Sequence, residues 1–101
     1  MAETVVRPLH ELVERRRSGI KEAVARHRGL AVAVFGSVAR GEERADSDLD
    51  FLVEFEPGSS LFDLVRLQEE LQVLLGHPVD VVSLGGLLPR DEDVRRDAIW
   101  L

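Results

Sequence analysis

The stretch Phe35 to Val53, FGSVARGEERADSDLDFLV, decides how the rest of the chain is read. An apolar run from Leu30 to Phe35 leads into Gly36-Ser37, a charged connection follows, and Asp48-Leu49-Asp50 opens a second apolar run of Phe51, Leu52 and Val53. The first run leaves no room for a helix and reads as a buried strand, and Leu49 to Phe55 reads as a second. Successive side chains of a strand point to opposite faces, so Asp48 and Asp50 share one face and Leu49 and Phe51 the other. Between Gly36 and Glu56 seven acids (Glu42, Glu43, Asp46, Asp48, Asp50, Glu54, Glu56) stand against two bases, Arg40 and Arg44. Such crowding repels unless a cation or solvent neutralises it, and two carboxylates on one face suit a divalent ion.

A strand that runs into Gly36-Ser37 and then a short helical turn aims backbone N–H groups and a hydroxyl at an anion, and a phosphate fits there. Alone, a Gly-Ser turn is usually just a turn and an Asp-x-Asp pair usually a solvated strand start. Together, at this spacing, they point to a metal-dependent nucleotide site.

Upstream, Leu9, Leu12, Val13, Ile20 and Val24 recur at helical spacing after Pro8, with an interruption at Arg16. Ser18-Gly19 either caps a second helix or weakens one long one. Arg15, Arg16 and Arg17 read as a solvated face.

Downstream, the second strand stops at Pro57-Gly58, and Ser60-Leu61-Phe62-Asp63 has the form of a capping box for a helix to about Leu75. Leu61, Leu64, Val65, Leu71, Leu74 and Leu75 are its expected inner face, and Gly76 its left-handed cap. Val79 to Val82 is a third strand, in which Asp80 is the exception. A carboxylate in an apolar strand is costly unless solvated or paired, so Asp80 either faces water from an edge strand or completes a metal site with Asp48 and Asp50. After a Gly-Gly loop, Pro89, Asp91, Glu92 and Asp93 suit a helix first turn, with Val94, Ala98, Ile99 and Leu101 expected to pack inward. Trp100 reads as packing. His10, His27 and His77 are scattered singly, without zinc-ligand spacing, and receive no role.

At 101 residues, 45% hydrophobic and 32% charged, the chain is expected to form one small globular domain over residues 1–101. It holds no cysteine, which excludes disulfides and thiolate zinc sites. Met1-Ala2-Glu3 opens without an apolar leader and no run approaches a membrane span, so a cytoplasmic location and no membrane are expected. Of the net charge of −6, the segment from residue 36 onward supplies the negative part, with six bases against fifteen acids. Nucleic-acid backbones are bound by neutralising phosphates, so direct nucleic-acid binding is not expected.

Gly36-Ser37, ten residues and then Asp48-x-Asp50 resembles the signature of the DNA polymerase β-type nucleotidyltransferase superfamily. The strings GSVARG, SDLD and HPVDVVSL are similar to the minimal nucleotidyltransferase (MNT) family, the antitoxin half of HEPN/MNT toxin-antitoxin pairs, and the likeness runs from about Leu9 to Leu101. It implies an α/β fold of the α+β type, with a small mixed sheet of three to four strands flanked by helices. It also implies a catalytic and metal set of Asp48, Asp50 and Asp80, and nucleotide contacts from Gly36, Ser37, Arg40 and Ser47. Mg2+, in two ions, is the implied cofactor and ATP the substrate. The implied activity is that of a type VII-like antitoxin, a protein adenylyltransferase that moves AMP to a tyrosine of a HEPN ribonuclease partner within a hetero-oligomer. Two rivals stay open: a module that neutralises its partner by binding alone, and a small-molecule nucleotidyltransferase, against which counts the want of an evident acceptor-binding domain.

Overall fold

In the computed structural model, which describes residues 8–44 and 46–101, the two apolar runs pair antiparallel as β1 (Gly29–Phe35) and β2 (Leu49–Phe55), with Phe35 opposite Asp50. A third strand, β3 (Val79–Ser83), joins the far side of β2 in parallel, and the short β4 (Ile99–Trp100) lies antiparallel on the other edge of β1, so that the order is β3-β2-β1-β4. The expected mixed sheet therefore forms, with four strands. A parallel pair needs a long crossover, and helix α4 (Leu61–Leu75) supplies it between β2 and β3. Met1, Ala2 and Glu3, on which the absence of an apolar leader rests, lie outside the described residues. Among the described residues no helix is long and apolar enough to cross a membrane.

Alternation along the strands gives the sheet two unlike faces. Val32, Val34, Leu49, Phe51, Val53, Val79 and Val81 are all buried on the side covered by helices α1 (Pro8–Arg15), α2 (Arg17–Arg26) and α4, where Leu9, Val13, Ile20, Val24, Leu67 and Leu71 meet them. The opposite face carries Asp50 and Asp80 and, further along, the buried cross-strand pair Ala33 and Leu52. The hydrophobic effect thus fixes which way the carboxylates point, because a slip of one residue would drive Asp50 into the helix-covered core.

The helices depart from the sequence expectation in three places. The break between α1 and α2 falls at Arg16, whose φ of −104° and ψ of 12° interrupt the helix, so Ser18 and Gly19 lie inside α2 and cap nothing. Gly19 serves packing: a Cβ there would stand 3.3 Å from Leu74 Cδ2, so its absence lets α2 approach α4. On α4 the buried stripe is Leu67, Leu71 and Leu75, flanked by Leu64 and Leu74, whereas Leu61 and Val65 are exposed. Leu61 lies in the first turn of α4, just past the Ser60 cap, where the Asp63 carboxylate accepts the Ser60 N–H at 2.8 Å, and Gly76 closes the far end at φ 61° as expected.

The third departure is at the C-terminal segment. Pro89–Asp91 forms a 3-10 turn and α5 (Glu92–Asp97) follows, but the chain then turns extended at Ala98, and Ile99, expected inside, is 53% exposed in β4. The edge of β1 has N–H and C=O groups that require partners. The β4 ladder satisfies them, extended by the Leu101 N–H to the Val32 carbonyl at 2.9 Å, and Leu101 packs on the core.

Gly29, where β1 leaves α2, admits no side chain: a Cβ would stand 2.8 Å from the Val24 carbonyl oxygen and collide with Val24 Cγ1. A backbone oxygen cannot rotate away, so Gly29→Ala is expected to lower the unfolding free energy by about 1–3 kcal/mol, read as a lower urea midpoint. An unchanged midpoint would mean that the turn relaxes freely.

Candidate active site

Three carboxylates meet at the end of the sheet where β2 and β3 begin. The parallel ladder sets Asp50 directly beside Asp80, and Asp48, two residues before Asp50, lies just ahead of the strand. Asp48 and Asp80 are exposed and Asp50 is half-buried. Burial, with the neighbouring charges of Asp80 and then Asp48, pushes the Asp50 carboxyl up from 3.8 to about 6, and Arg40 opposes that rise. Asp80 faces water from an edge strand, as one of its two expected readings has it, and is the register partner of Asp50.

Among the described residues no three His, Cys, Asp or Glu side chains converge at metal-ligand spacing. Rotation of the carboxylates would be needed to surround an ion. The donor set nevertheless fits magnesium, which prefers carboxylate and water oxygens and keeps several waters. Three like charges on one face, one of them held partly out of water, are also the arrangement that a divalent cation relieves.

Gly36 stands over this cluster, at the first residue of α3 (Gly36–Arg40). Its φ of +74° disfavours any L side chain, and a Cβ there would collide with Asp50 Oδ2 and stand 3.2 Å from Asp50 Cγ. The Gly36-Ser37 turn and the central carboxylate are therefore packed against each other. The leading N–H groups of a helix lack intrahelical partners, so the Gly36-Ser37 end of α3 offers donors next to the acids. Ser37 is partly buried in that turn, and its carbonyl accepts the Glu42 N–H at 2.9 Å.

Arg40, at the end of α3, pairs with Glu42 at 3.1 Å and with Asp97 of α5 at 3.4 Å, yet its charge still reaches Asp50. Arg40 thus holds a local ion pair and also adds positive charge to the field at Asp50. Ser47 closes the turn before Asp48: its hydroxyl accepts the Arg44 N–H at 2.8 Å, and its own N–H bonds the Arg44 carbonyl at 3.0 Å.

Four residues that support the site were missed in the sequence. On α4, Gln68 and Gln72 accept the outward N–H groups of Val81 (3.0 Å) and Val79 (3.3 Å), so the free edge of β3 is tied down on either side of Asp80. A Gln-x3-Gln pair one helical turn apart was the available signal. Glu43, in the acidic loop, accepts the N–H groups of Leu9 and His10 at 2.7 and 3.0 Å and so caps α1. His77 reaches back to the Ser47 carbonyl at 2.5 Å. An apolar groove between α2, β1 and Trp100 is lined by none of these residues.

Residues 17–99 match the nucleotidyltransferase domain family. The chain belongs to that family. As a nucleotidyltransferase it is of the transferase class, and its similarity to individual members is high. It is 46% identical over 68 residues to a Methanocaldococcus jannaschii chain assigned as a protein adenylyltransferase, covering 67% of this chain and 73% of that one. It is 41% identical over 78 residues to the protein adenylyltransferase MntA of Thermococcus cleftensis, covering 77% and 70%. A solved structure assigned as a minimal nucleotidyltransferase superposes with a TM-score of 0.81 at 53% identity, over 91% of this chain and 95% of that one. The fold is also that of the MNT antitoxin solved in complex with a tri-AMPylated Shewanella oneidensis HEPN toxin, with a TM-score of 0.63, 17% identity and coverage of 94% and 71%.

Two outcomes follow from this geometry. Gly36→Ala should displace the Asp50 carboxylate and strain the turn by about 1–3 kcal/mol, so that Mn2+ affinity and thermal midpoint fall together; unaltered Mn2+ binding would separate the turn from the acids. The second concerns pH, in EDTA. Because the folded pKa of Asp50 is raised, the folded state holds the extra proton between about 4 and 6, and stability declines as pH rises through that window. Asp50→Asn is therefore expected to be more stable than the wild type above pH 6, by about 1–2 kcal/mol after discounting for solvent screening. The advantage should vanish below pH 4, and a constant difference from pH 4 to 8 in paired urea titrations would contradict the assignment.

Proposed function

We propose that this nucleotidyltransferase is an antitoxin-type protein adenylyltransferase that moves AMP from ATP to a tyrosine hydroxyl of a HEPN-type toxin, within a cytoplasmic hetero-oligomer. The observation that carries the reading is the Asp48, Asp50 and Asp80 cluster packed against the Gly36-Ser37 turn. The protein adenylyltransferase relatives support the group transferred. A solved toxin-antitoxin structure of the same fold, crystallised with AMP-PNP, supports ATP as the donor, and the tri-AMPylated HEPN complex supports the acceptor. The exposure of Asp48 and Asp80 also suits an acceptor carried on the surface of another protein.

In this reading the acceptor oxygen attacks the α-phosphorus of ATP, the bond to the bridging oxygen breaks, and pyrophosphate leaves. Asp80, exposed on the edge strand β3, takes the phenolic proton. Gly36 and Ser37 donate N–H and hydroxyl groups to the triphosphate, Ser47 shapes the turn beside it, and Arg40 adds positive charge. Mg2+ ions held by Asp48, Asp50 and Asp80 would supply the charge that allows the triphosphate to approach three acids.

The test is to co-express the chain with its HEPN partner, separate the two under denaturing conditions and weigh the partner. An added mass of one or more adenylyl units is expected, and full neutralisation of an unmodified partner would favour inhibition by contact instead. Asp80→Asn should reduce transfer by about 10²- to 10⁴-fold, the worth of a positioned base. Its unfolding midpoint should hold, because the side chain is exposed. Retained transfer would remove Asp80 from the catalytic set.

A further inference from the structure

Two of the three carboxylates are held by the sheet and one is not. Asp50 and Asp80 are register partners within the β2–β3 ladder, whereas Asp48 precedes the first ladder residue, Leu49. What holds Asp48 must come from the peptide groups on either side of it. On its C-terminal side the Leu49 N–H bonds the Pro78 carbonyl at 3.2 Å. On its N-terminal side the Ser47 carbonyl, whose peptide plane runs into Asp48, meets His77 Nε2 at 2.5 Å. A carbonyl only accepts, so His77 donates its Nε2–H. The dipeptide His77-Pro78 thus clasps residues 47 to 49 from both sides, and it belongs to the segment that enters β3 and carries Asp80.

We propose that His77 is a positioning residue for transfer: its Nε2–H fixes the peptide before Asp48 and so sets where that carboxylate stands relative to Asp50 and Asp80. The inference rests on the metal-dependent reading of the site, and it separates His77 from the ladder contacts. Without the imidazole donor the strands stay paired through their backbone hydrogen bonds, and the Gln68 and Gln72 bonds still restrain β3. Among the described residues, the peptide before Asp48 would then be restrained on that side by the turn around Arg44 and Ser47. Removing the imidazole donor therefore loosens one carboxylate and leaves the sheet intact.

Two variants isolate the donor. His77→Phe keeps a flat ring of similar size and lacks the N–H, while His77→Gln places an amide N–H at about the reach of Nε2. Each is compared with the wild type by Mn2+ titration, by amide exchange at Asp48 and Leu49, and by kcat and KM for ATP. In His77→Phe, exchange at Asp48 and Leu49 should quicken about tenfold while Leu52 and Val53 keep their protection. Mn2+ affinity should fall about tenfold, as for loss of an outer support of a metal ligand. A misplaced group costs up to about 10²-fold in rate, so kcat should fall about 10- to 100-fold with KM for ATP little changed. His77→Gln should restore all three to within a few-fold. Wild-type values in His77→Phe would overturn the proposal, and so would equal impairment of the two variants or a general loss of exchange protection across β2. A wild-type chain that binds no Mn2+ would overturn the metal site itself, and the exchange contrast would still report whether His77 fixes residues 47 to 49.

Discussion

The structure turns on a contact that the sheet forces and electrostatics oppose, the placement of Asp50 beside Asp80 across two parallel strands. Adjacent strands lie about 4.8 Å apart, so two carboxylates in register cannot avoid each other. Burial of its side chain, and then that opposition, push the Asp50 carboxyl up to about 6. Nothing in the fold needs those charges. Leu49, Phe51, Val79 and Val81, on the other face of the same strands, supply the packing. On β2 and β3 the odd positions thus pack against the helices, while the even positions carry Asp50 and Asp80 at the strand starts and the buried Leu52 further along.

Around that contact the remaining elements act as restraints. Gly36 brings the β1–α3 turn against Asp50, because any side chain there would occupy the place of the carboxylate. Gln68 and Gln72 satisfy the outward N–H groups of β3, which protects an edge strand from foreign pairing and holds Asp80 in line. Glu43 joins the acidic loop to the start of α1, so the loop between the Gly36-Ser37 turn and the acids is anchored at a helix end where a carboxylate is favourable. Apart from Gly36, which acts by lacking a side chain, these restraints use polar side chains that contribute little to the core.

This division explains which features could be read from the sequence. The strands Leu30 to Phe35 and Leu49 to Phe55 and the α4 caps at Ser60 and Gly76 follow from local rules of periodicity and turn chemistry, and all of them form, whereas Asp48, expected to share a strand face with Asp50, lies just ahead of β2. Asp80 could be placed beside Asp50 because a lone carboxylate in an apolar run is itself a signal. What failed was non-local. The inward packing of Ile99 was expected from helical spacing, but the unpaired edge of β1, distant in sequence, draws that segment into a strand. Leu67 was left out of the α4 stripe and Leu61 included, because the tertiary position of the helix end decides which turn reaches the core. His77 was set aside for want of metal-ligand spacing, since its partner is a backbone carbonyl 30 residues away that no side-chain pattern reveals.

The openness of the site bears on how such a small chain could discriminate its acceptor. Asp48 and Asp80 face solvent, and the apolar groove beside Trp100 shares no residue with them. Small-molecule sites bury most of their ligand in a concave, largely apolar pocket. A shallow row of acids on a sheet end supplies charge and alignment, and leaves recognition to surfaces elsewhere. An acceptor that arrives on another folded protein brings its own contact area, so specificity can reside in docking while the carboxylates supply chemistry alone. In the proposed reading, precise placement of the three acids matters the more because docking, at a distance from them, orients the acceptor. A fold that invests side chains from α4, the acidic loop and the β3 approach in holding those acids is consistent with that demand.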